Sequence, residues 1–92
     1  MMTNYEVRWI SKPRADALKR SGRLGDALLL DTFNGILIVE PAGSNLGDGA
    51  VLTREEADYE LQPAWFLGPK ARLIEARRRL GLDASSPSAA SA

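Results

Sequence analysis

The alternation of apolar and polar residues predicts a β-hairpin in the first half of the chain. Two apolar, β-rich runs within residues 28–41 flank the dipeptide Asn34-Gly35. Both residues tolerate a positive φ, so the pattern predicts a type I′ turn that places Phe33 opposite Ile36. The first face of the hairpin then carries Leu28, Leu30, Thr32, Leu37 and Val39, and the second carries Leu29, Asp31, Phe33, Ile36, Ile38 and Glu40.

The second face is more apolar than a sheet face in contact with water usually is. It carries Phe33, Ile36 and Ile38, so we expect a helix, the segment Trp65-Phe66 or a partner to cover it. Large aromatic residues concentrate at interface hot spots, which makes Trp65 and Phe66 candidate partner anchors. In a small core the same two residues can instead fold back over the sheet, and the sequence leaves both readings open.

Periodicity and capping residues predict the other elements. Residues 5–10 alternate as a half-buried strand, and residues 50–52 are a candidate fourth strand. Ser11 as N-cap and Gly22 as stop delimit a helix near 13–20. Thr53 and Glu56 form a capping box for an acidic helix at 54–61. A last helix at 69–80 is predicted to bury Leu73, Ala76 and Leu80, with Ile74 widening the stripe.

These elements define one α+β domain over residues 1–82. We expect a small antiparallel sheet of three to four strands around the Asn-Gly hairpin, with two or three short helices. Residues 83–92, DASSPSAASA, are a Ser/Ala-rich tail that is predicted to be disordered or extended.

Composition mainly excludes classes of protein. The 92 residues include no cysteine and no histidine, which removes thiol chemistry, disulfides and the commonest metal ligand. Twelve basic and twelve acidic residues balance, and no signal peptide or membrane span is visible. The lack of cysteine favours a reducing compartment, so we expect a cytoplasmic protein. The excess of Arg over Lys and the many Ala residues suit a prokaryotic or phage source, and a phage-encoded chain would be virion-associated.

Charge is distributed unevenly along the chain. Residues 1–25 have a net charge of +4, residues 26–61 of −7 and residues 62–92 of +3. In a monomer the basic helices can flank the acidic middle, and the same layout also suits head-to-tail packing of copies or docking on a charged partner.

No motif predicts a catalytic, cofactor-binding or metal-binding residue. The glycine-rich loop 43–49 lacks the Gly-Lys-Ser/Thr ending of a phosphate-binding loop, so an ordinary connection is favoured. The acidic residues splay around one short helix rather than converge: Glu55, Glu56, Asp58 and Glu60.

Arg77, Arg78 and Arg79 make the last helix basic and are candidate partner-binding residues. The run 72–82 resembles the opening helix of a helix-turn-helix repressor domain over eleven residues. That resemblance implies DNA binding, but the Ser/Ala tail follows where the turn and recognition helix of such a domain come. A nucleic-acid footprint also normally has an overall positive balance, which this chain lacks.

The sequence therefore favours a non-enzymatic protein-interaction or assembly module, a small accessory or structural subunit of a phage or mobile element. It would dock on a protein partner or on copies of itself through the second hairpin face, the segment Trp65-Phe66 and the tail, with no membrane and no small-molecule substrate. The alternative is a small inhibitor or regulator that binds a nucleic acid or nucleoprotein complex through the basic helices.

Overall fold

The computed structural model describes residues 4–82 and shows an α+β fold with a three-stranded antiparallel sheet. The predicted fold class is confirmed, and the predicted tail at 83–92 lies outside the described residues. The elements in chain order are β1 (Tyr5–Ile10), α1 (Lys12–Ser21), β2 (Leu28–Thr32), β3 (Gly35–Pro41), α2 (Arg54–Glu60) and α3 (Lys70–Arg79).

Capping residues determine where the first two helices begin, as predicted. The Ser11 hydroxyl accepts a hydrogen bond from the Arg14 amide at the start of α1. Thr53 and Glu56 exchange the two hydrogen bonds of a capping box at the start of α2. Gly22 ends α1 with a left-handed φ of 71°, a conformation that glycine adopts without a steric penalty.

The hairpin turn differs from the predicted one. Thr32 lies opposite Gly35 and Leu30 opposite Leu37, so the loop is Phe33-Asn34 rather than Asn34-Gly35. Only Gly35 of these residues has a positive φ, at 141°, which rules out the type I′ turn. The Thr32 hydroxyl determines the earlier turn, because it accepts from the Asn34 amide at 3.1 Å and donates to the Gly35 carbonyl at 2.8 Å. The strand residues nevertheless keep their predicted faces.

The strand order is β1-β3-β2, so β1 and β2 run parallel on either side of β3. The chain must therefore cross over the sheet between them, and α1 makes that crossover. It lies on the second face, where Ala15 and Leu18 pack with Ile10, Ala27 and Ile38. Of the covers expected for this face, the helix is the one that the structure shows, because α1 buries Ile38 and packs against Ile36.

The helices α2 and α3 pack on the first face of the sheet. Their buried residues join the hairpin core in one cluster: Val7, Leu30, Leu37, Val39, Leu52, Ala57, Leu61, Leu73, Ala76 and Leu82. The result is three layers, with α1 on one side of the sheet and α2 with α3 on the other. Ile74, which was predicted to widen the buried stripe of α3, is 52% exposed.

Each outer edge of the sheet is paired with irregular chain. Residues 49–52 pair with β1, where the Trp9 amide donates to the Ala50 carbonyl at 3.1 Å and the Leu52 amide to the Val7 carbonyl at 2.9 Å. The predicted fourth strand is reduced to a single bridge between Arg8 and Val51. Such pairing protects an edge against unwanted strand addition.

Candidate interaction surface

The linker between α2 and α3 pairs with the free edge of β2 next to the hairpin turn. The Phe33 amide donates to the Trp65 carbonyl at 3.0 Å, and the Leu67 amide donates to the Asp31 carbonyl at 2.9 Å. Phe66 lies between these bonds and packs against the core on the first face. The linker therefore connects the hairpin tip to the helical layer.

Trp65 is half-buried and directed toward α2. Its indole nitrogen donates to the Tyr59 carbonyl at 2.9 Å, and the two aromatic ring centroids are 5.4 Å apart at 42°. Asn34 at the hairpin tip also donates to Glu60 of α2 at 2.8 Å. These contacts fix the relative positions of the tip, the linker and the end of α2.

Large apolar side chains are exposed on α2, on the linker and on α3. Tyr59 of α2, Leu67 of the linker and Ile74 of α3 are 51%, 54% and 52% exposed. A groove of about 460 Å³ between the helices is lined by the apolar residues Pro63, Leu73 and Ile74 and by four polar ones, Asp58, Gln62, Lys70 and Arg77. We call the exposed sides of α2 and α3, with Tyr59, Ile74 and this groove, the groove face. Exposed apolar residues on the helices that flank a groove are a common feature of binding surfaces.

Phe33 is a second exposed aromatic residue, at the hairpin tip. It is 68% exposed and occupies a turn position where small or polar residues are usual. The other two predicted residues of the second hairpin face lie elsewhere. Ile38 is fully buried under α1, and Ile36 is half-buried beside it. Neither side chain is therefore presented at the hairpin tip.

The three arginines of α3 are engaged within the molecule. Arg77 donates to Asp58 at 2.7 Å and to the Leu61 carbonyl at 2.8 Å. Arg78 and Arg79 both bind Glu75, and these hydrogen bonds, first from Arg79 and then from Arg78, lower the pKa of Glu75 below its ordinary value of 4.5. Arg79 also donates to the Asp26 carbonyl and lies over the Tyr5 ring. Much of the predicted basic patch is thus neutralised by neighbours.

The acidic residues of α2 are likewise used in separate contacts. Glu56 completes the capping box, Asp58 pairs with Arg77 and Glu60 binds Asn34. Among residues 4–82 no group of three or more acidic side chains is arranged to hold a metal ion. Within the same residues no helix is long and apolar enough to cross a membrane.

A buried ion pair organises the glycine-rich loop, a feature that the sequence analysis missed. Glu40 is fully buried, and its carboxylate accepts from Arg8 Nε at 3.1 Å and from the Leu46 amide at 2.7 Å. Arg8 also donates to the Gly49 carbonyl at 3.1 Å. The sequence signal of this pair is weak: Glu40 is a charged residue near the end of an apolar strand, and the neighbouring strand carries Arg8.

Asp48 joins the same loop to the start of α1. Its carboxylate accepts from the Ser11 hydroxyl at 2.6 Å and from the Ser11 amide at 2.8 Å. These two bonds are the main reason that the pKa of Asp48 lies below its ordinary value of 3.8. The loop is therefore a pinned structural connection, and the loop amide of Leu46 already has an acceptor in Glu40.

A second cleft, of about 330 Å³, lies between α1 and β2. Its walls carry Leu29 and Ile36, and its rim carries both signs of charge. Lys12 and Lys19 both approach Asp16 within 4 Å, at 3.5 and 3.7 Å, and Arg72 donates to the Leu29 carbonyl at 3.3 Å. The polar rim is satisfied by internal pairs, whereas the groove face leaves apolar side chains uncovered.

The fold and the groove face define a small α+β protein with a groove and exposed apolar side chains on its helical layer. Comparisons with models of known protein families, with curated proteins and with solved structures gave no match. Function is therefore inferred from the surface chemistry of the chain.

Proposed function

We propose that the protein is a non-enzymatic interaction module, an accessory or structural subunit that binds another protein surface through its groove face. The observation that carries this proposal is the exposure of Tyr59 on α2 and Ile74 on α3, with Leu67 exposed on the linker that joins the two helices. Exposed apolar groups cost free energy in water, about 25 cal/mol for each Å² that a partner could cover. Exposed apolar residues on two helices that flank a groove are typical of a docking site.

Rigid support for this surface is a second argument for binding. Trp65 is held by a tilted ring contact with Tyr59 and by the hydrogen bond to the Tyr59 carbonyl, so little side-chain freedom is left for a partner to remove. The Asp58–Arg77 pair closes the groove with a polar rim. An apolar centre with polar surroundings is the usual anatomy of a protein interface. Phe33 extends the candidate surface toward the hairpin tip.

A photo-crosslinking amino acid placed at position 59 tests the proposal in an extract of the cells that express the chain. Tyr59→p-benzoylphenylalanine is expected to give a discrete protein adduct after irradiation. The matched control is Val51→p-benzoylphenylalanine, at an exposed apolar residue beside β1. Adducts of equal yield at both positions, or none at position 59, would overturn the proposal.

The alternative proposal is a regulator that binds nucleic acid through the basic helices. It receives less support, because Arg77, Arg78 and Arg79 already bind carboxylates or carbonyl groups of the chain. Its test is binding to duplex DNA and single-stranded RNA at about 50 mM and about 200 mM salt. Affinity that falls steeply between the two salt concentrations would favour it over the protein-binding proposal.

A further inference from the structure

The groove face has a charge pattern that indicates its partner. α2 contains four carboxylates and one arginine, whereas α3 contains five cations and one glutamate. The two helices lie in the same layer, with the Asp58–Arg77 pair between them. Outside that pair α2 exposes Glu55, and α3 exposes Arg78, whose side chain stays 69% exposed beside Glu75. A surface divided in this way is complementary to itself after a half-turn.

The level of each residue along the two helices is known from their contacts. Arg54 at the start of α2 donates to the carbonyls of Leu80 and Gly81, and Asp58 pairs with Arg77 one turn further on. The helices are therefore antiparallel, and the first turn of α2 lies beside the last turn of α3.

Each helix presents an outward ridge of two residues at i and i+4. On α2 the buried residues Ala57 and Leu61 leave Glu55 and Tyr59 outside. On α3 the buried residues are Leu73 and Ala76, and the exposed residues Ile74 and Arg78 form the ridge. Each ridge thus has one charged and one apolar member, and the two charges have opposite signs.

The contacts between the helices place the charged members at one level and the apolar members at another. Glu55 follows Arg54 at the level of the last turn of α3, which contains Arg78. Tyr59 follows Asp58, which pairs with Arg77, so Tyr59 lies one turn further along α2 than Glu55, at a level nearer the middle of α3, where Ile74 lies. A half-turn about an axis along the groove exchanges the helices and keeps these levels. It brings Glu55 over Arg78 and Tyr59 over Ile74.

We infer that the partner of the groove face is a second copy of this chain, with α2 of each copy lying over α3 of the other. This inference rests on the proposed function and names the partner of the same surface. The zero net charge of the chain adds no repulsion between copies. Each reciprocal contact occurs twice in such a dimer, so weak surface pairs act together.

Sedimentation equilibrium of the purified full chain over a concentration series tests the inference. We expect a reversible change from a 10.0 kDa monomer to a particle of twice that mass. Ile74→Glu places two charges in the apolar centre of the dimer and is expected to abolish association. The control, Val51→Glu, makes the same change at a residue that is 46% exposed beside β1 and should leave the dimer intact.

Charge-reversal variants provide a sharper test of the dimer. Glu55→Arg and Arg78→Glu are each expected to weaken the dimer about tenfold, and the double variant should restore most of the loss. Arg20→Glu is the matched control, since Arg20 is exposed on α1 across the sheet. Far-ultraviolet circular dichroism establishes that each variant folds, and Ile74→Ser replaces Ile74→Glu if the latter does not.

A chain that stays monomeric to about 1 mM, or a dimer that none of the α2 and α3 variants weakens, would overturn the inference. The proposed function is judged separately by the crosslink at position 59. An adduct with a different protein from a chain that is monomeric alone would remove the second copy and retain the binding surface. A chain that neither self-associates nor forms an adduct at position 59 would remove both proposals.

Discussion

The buried carboxylate of Glu40 allows a quantitative test of what holds the glycine-rich loop. The test compares Glu40→Gln with Glu6→Gln, because both glutamates bind the guanidinium of Arg8. Glu40 has a fully buried side chain and a contact of 3.1 Å, whereas Glu6 is 25% exposed and 3.3 Å away. The chemical change and the cation are the same, so the two variants differ mainly in burial.

The magnitude follows from the contacts that each substitution keeps. In Glu40→Gln the new amide retains an oxygen acceptor for the Leu46 N–H but loses the charge that faces Arg8, and charge-assisted hydrogen bonds contribute about 1.5–3 kcal/mol. Arg8 keeps its contacts with Glu6 and with the side-chain oxygen of Asn45, the latter at 3.2 Å, so its own charge stays partnered. We expect Glu40→Gln to lower the free energy of unfolding by about 2 kcal/mol and Glu6→Gln by less than about 0.5 kcal/mol.

Urea denaturation followed by tryptophan fluorescence measures this difference. A domain of this size is expected to have a total stability of about 5–14 kcal/mol and an m-value near 1 kcal/mol/M, so the midpoint should fall by about 2 M in Glu40→Gln. Equal midpoint shifts in the two variants would refute the role assigned to burial. An unchanged midpoint in Glu40→Gln would refute the contribution of the ion pair itself.

The remaining predictions concern the second face, the turn and the loop. Ile38→Ala should cost about 2–5 kcal/mol in chemical denaturation because its side chain is fully buried, whereas Phe33→Ala should cost less than about 0.5 kcal/mol at 68% exposure. Gly35→Ala should lower the free energy of unfolding by about 1–3 kcal/mol, because the φ of Gly35 is 141° and a Cβ would lie 3.1 Å from the Trp9 ring. Thermal unfolding should show a larger loss of stability for Gly35→Ala than for Gly22→Ala, and the opposite order would contradict this prediction. The depressed pKa of Asp48 makes its contribution present above about pH 3.8 and lost as pH falls through the lower folded-state pKa, so the stability difference between wild type and Asp48→Asn should vanish in strong acid. A difference that persists below that range in acid titrations of the melting temperature would exclude ionisation as its cause.

Local sequence signals located the elements to within one or two residues. The side-chain caps at Ser11 and Thr53 depend on residues three apart, so they could be read directly from the chain. The position of the hairpin turn could not be read in this way, because it depends on the Thr32 side chain and on a segment far away in the chain. The Thr32 hydroxyl binds within the turn, and the Phe33 amide is taken by Trp65, which is 32 positions away.

The candidate surface was only partly predictable for the same reason. Trp65 and Phe66 were singled out as partner anchors, and both are half-buried in the structure. Phe33 was named as part of the second hairpin face, and it is exposed. Tyr59 and Leu67 carried no signal of their own, and Ile74 fitted a buried stripe. An apolar residue at the margin of such a stripe is buried only if the neighbouring helix covers it. The spacing of apolar residues in one helix carries no information about where that neighbour lies.

Residue identity and short-range spacing were enough to determine the element types, the two faces of the hairpin and the absence of thiol and imidazole chemistry. What covers each face was decided by the tertiary structure alone. The strand order β1-β3-β2 makes α1 a crossover, and this buries Ile38 under a helix of the same chain. It also leaves α2 and α3 side by side on the opposite face with Tyr59 and Ile74 exposed. Strand order depends on pairings between residues far apart in the chain, and no local pattern encodes it.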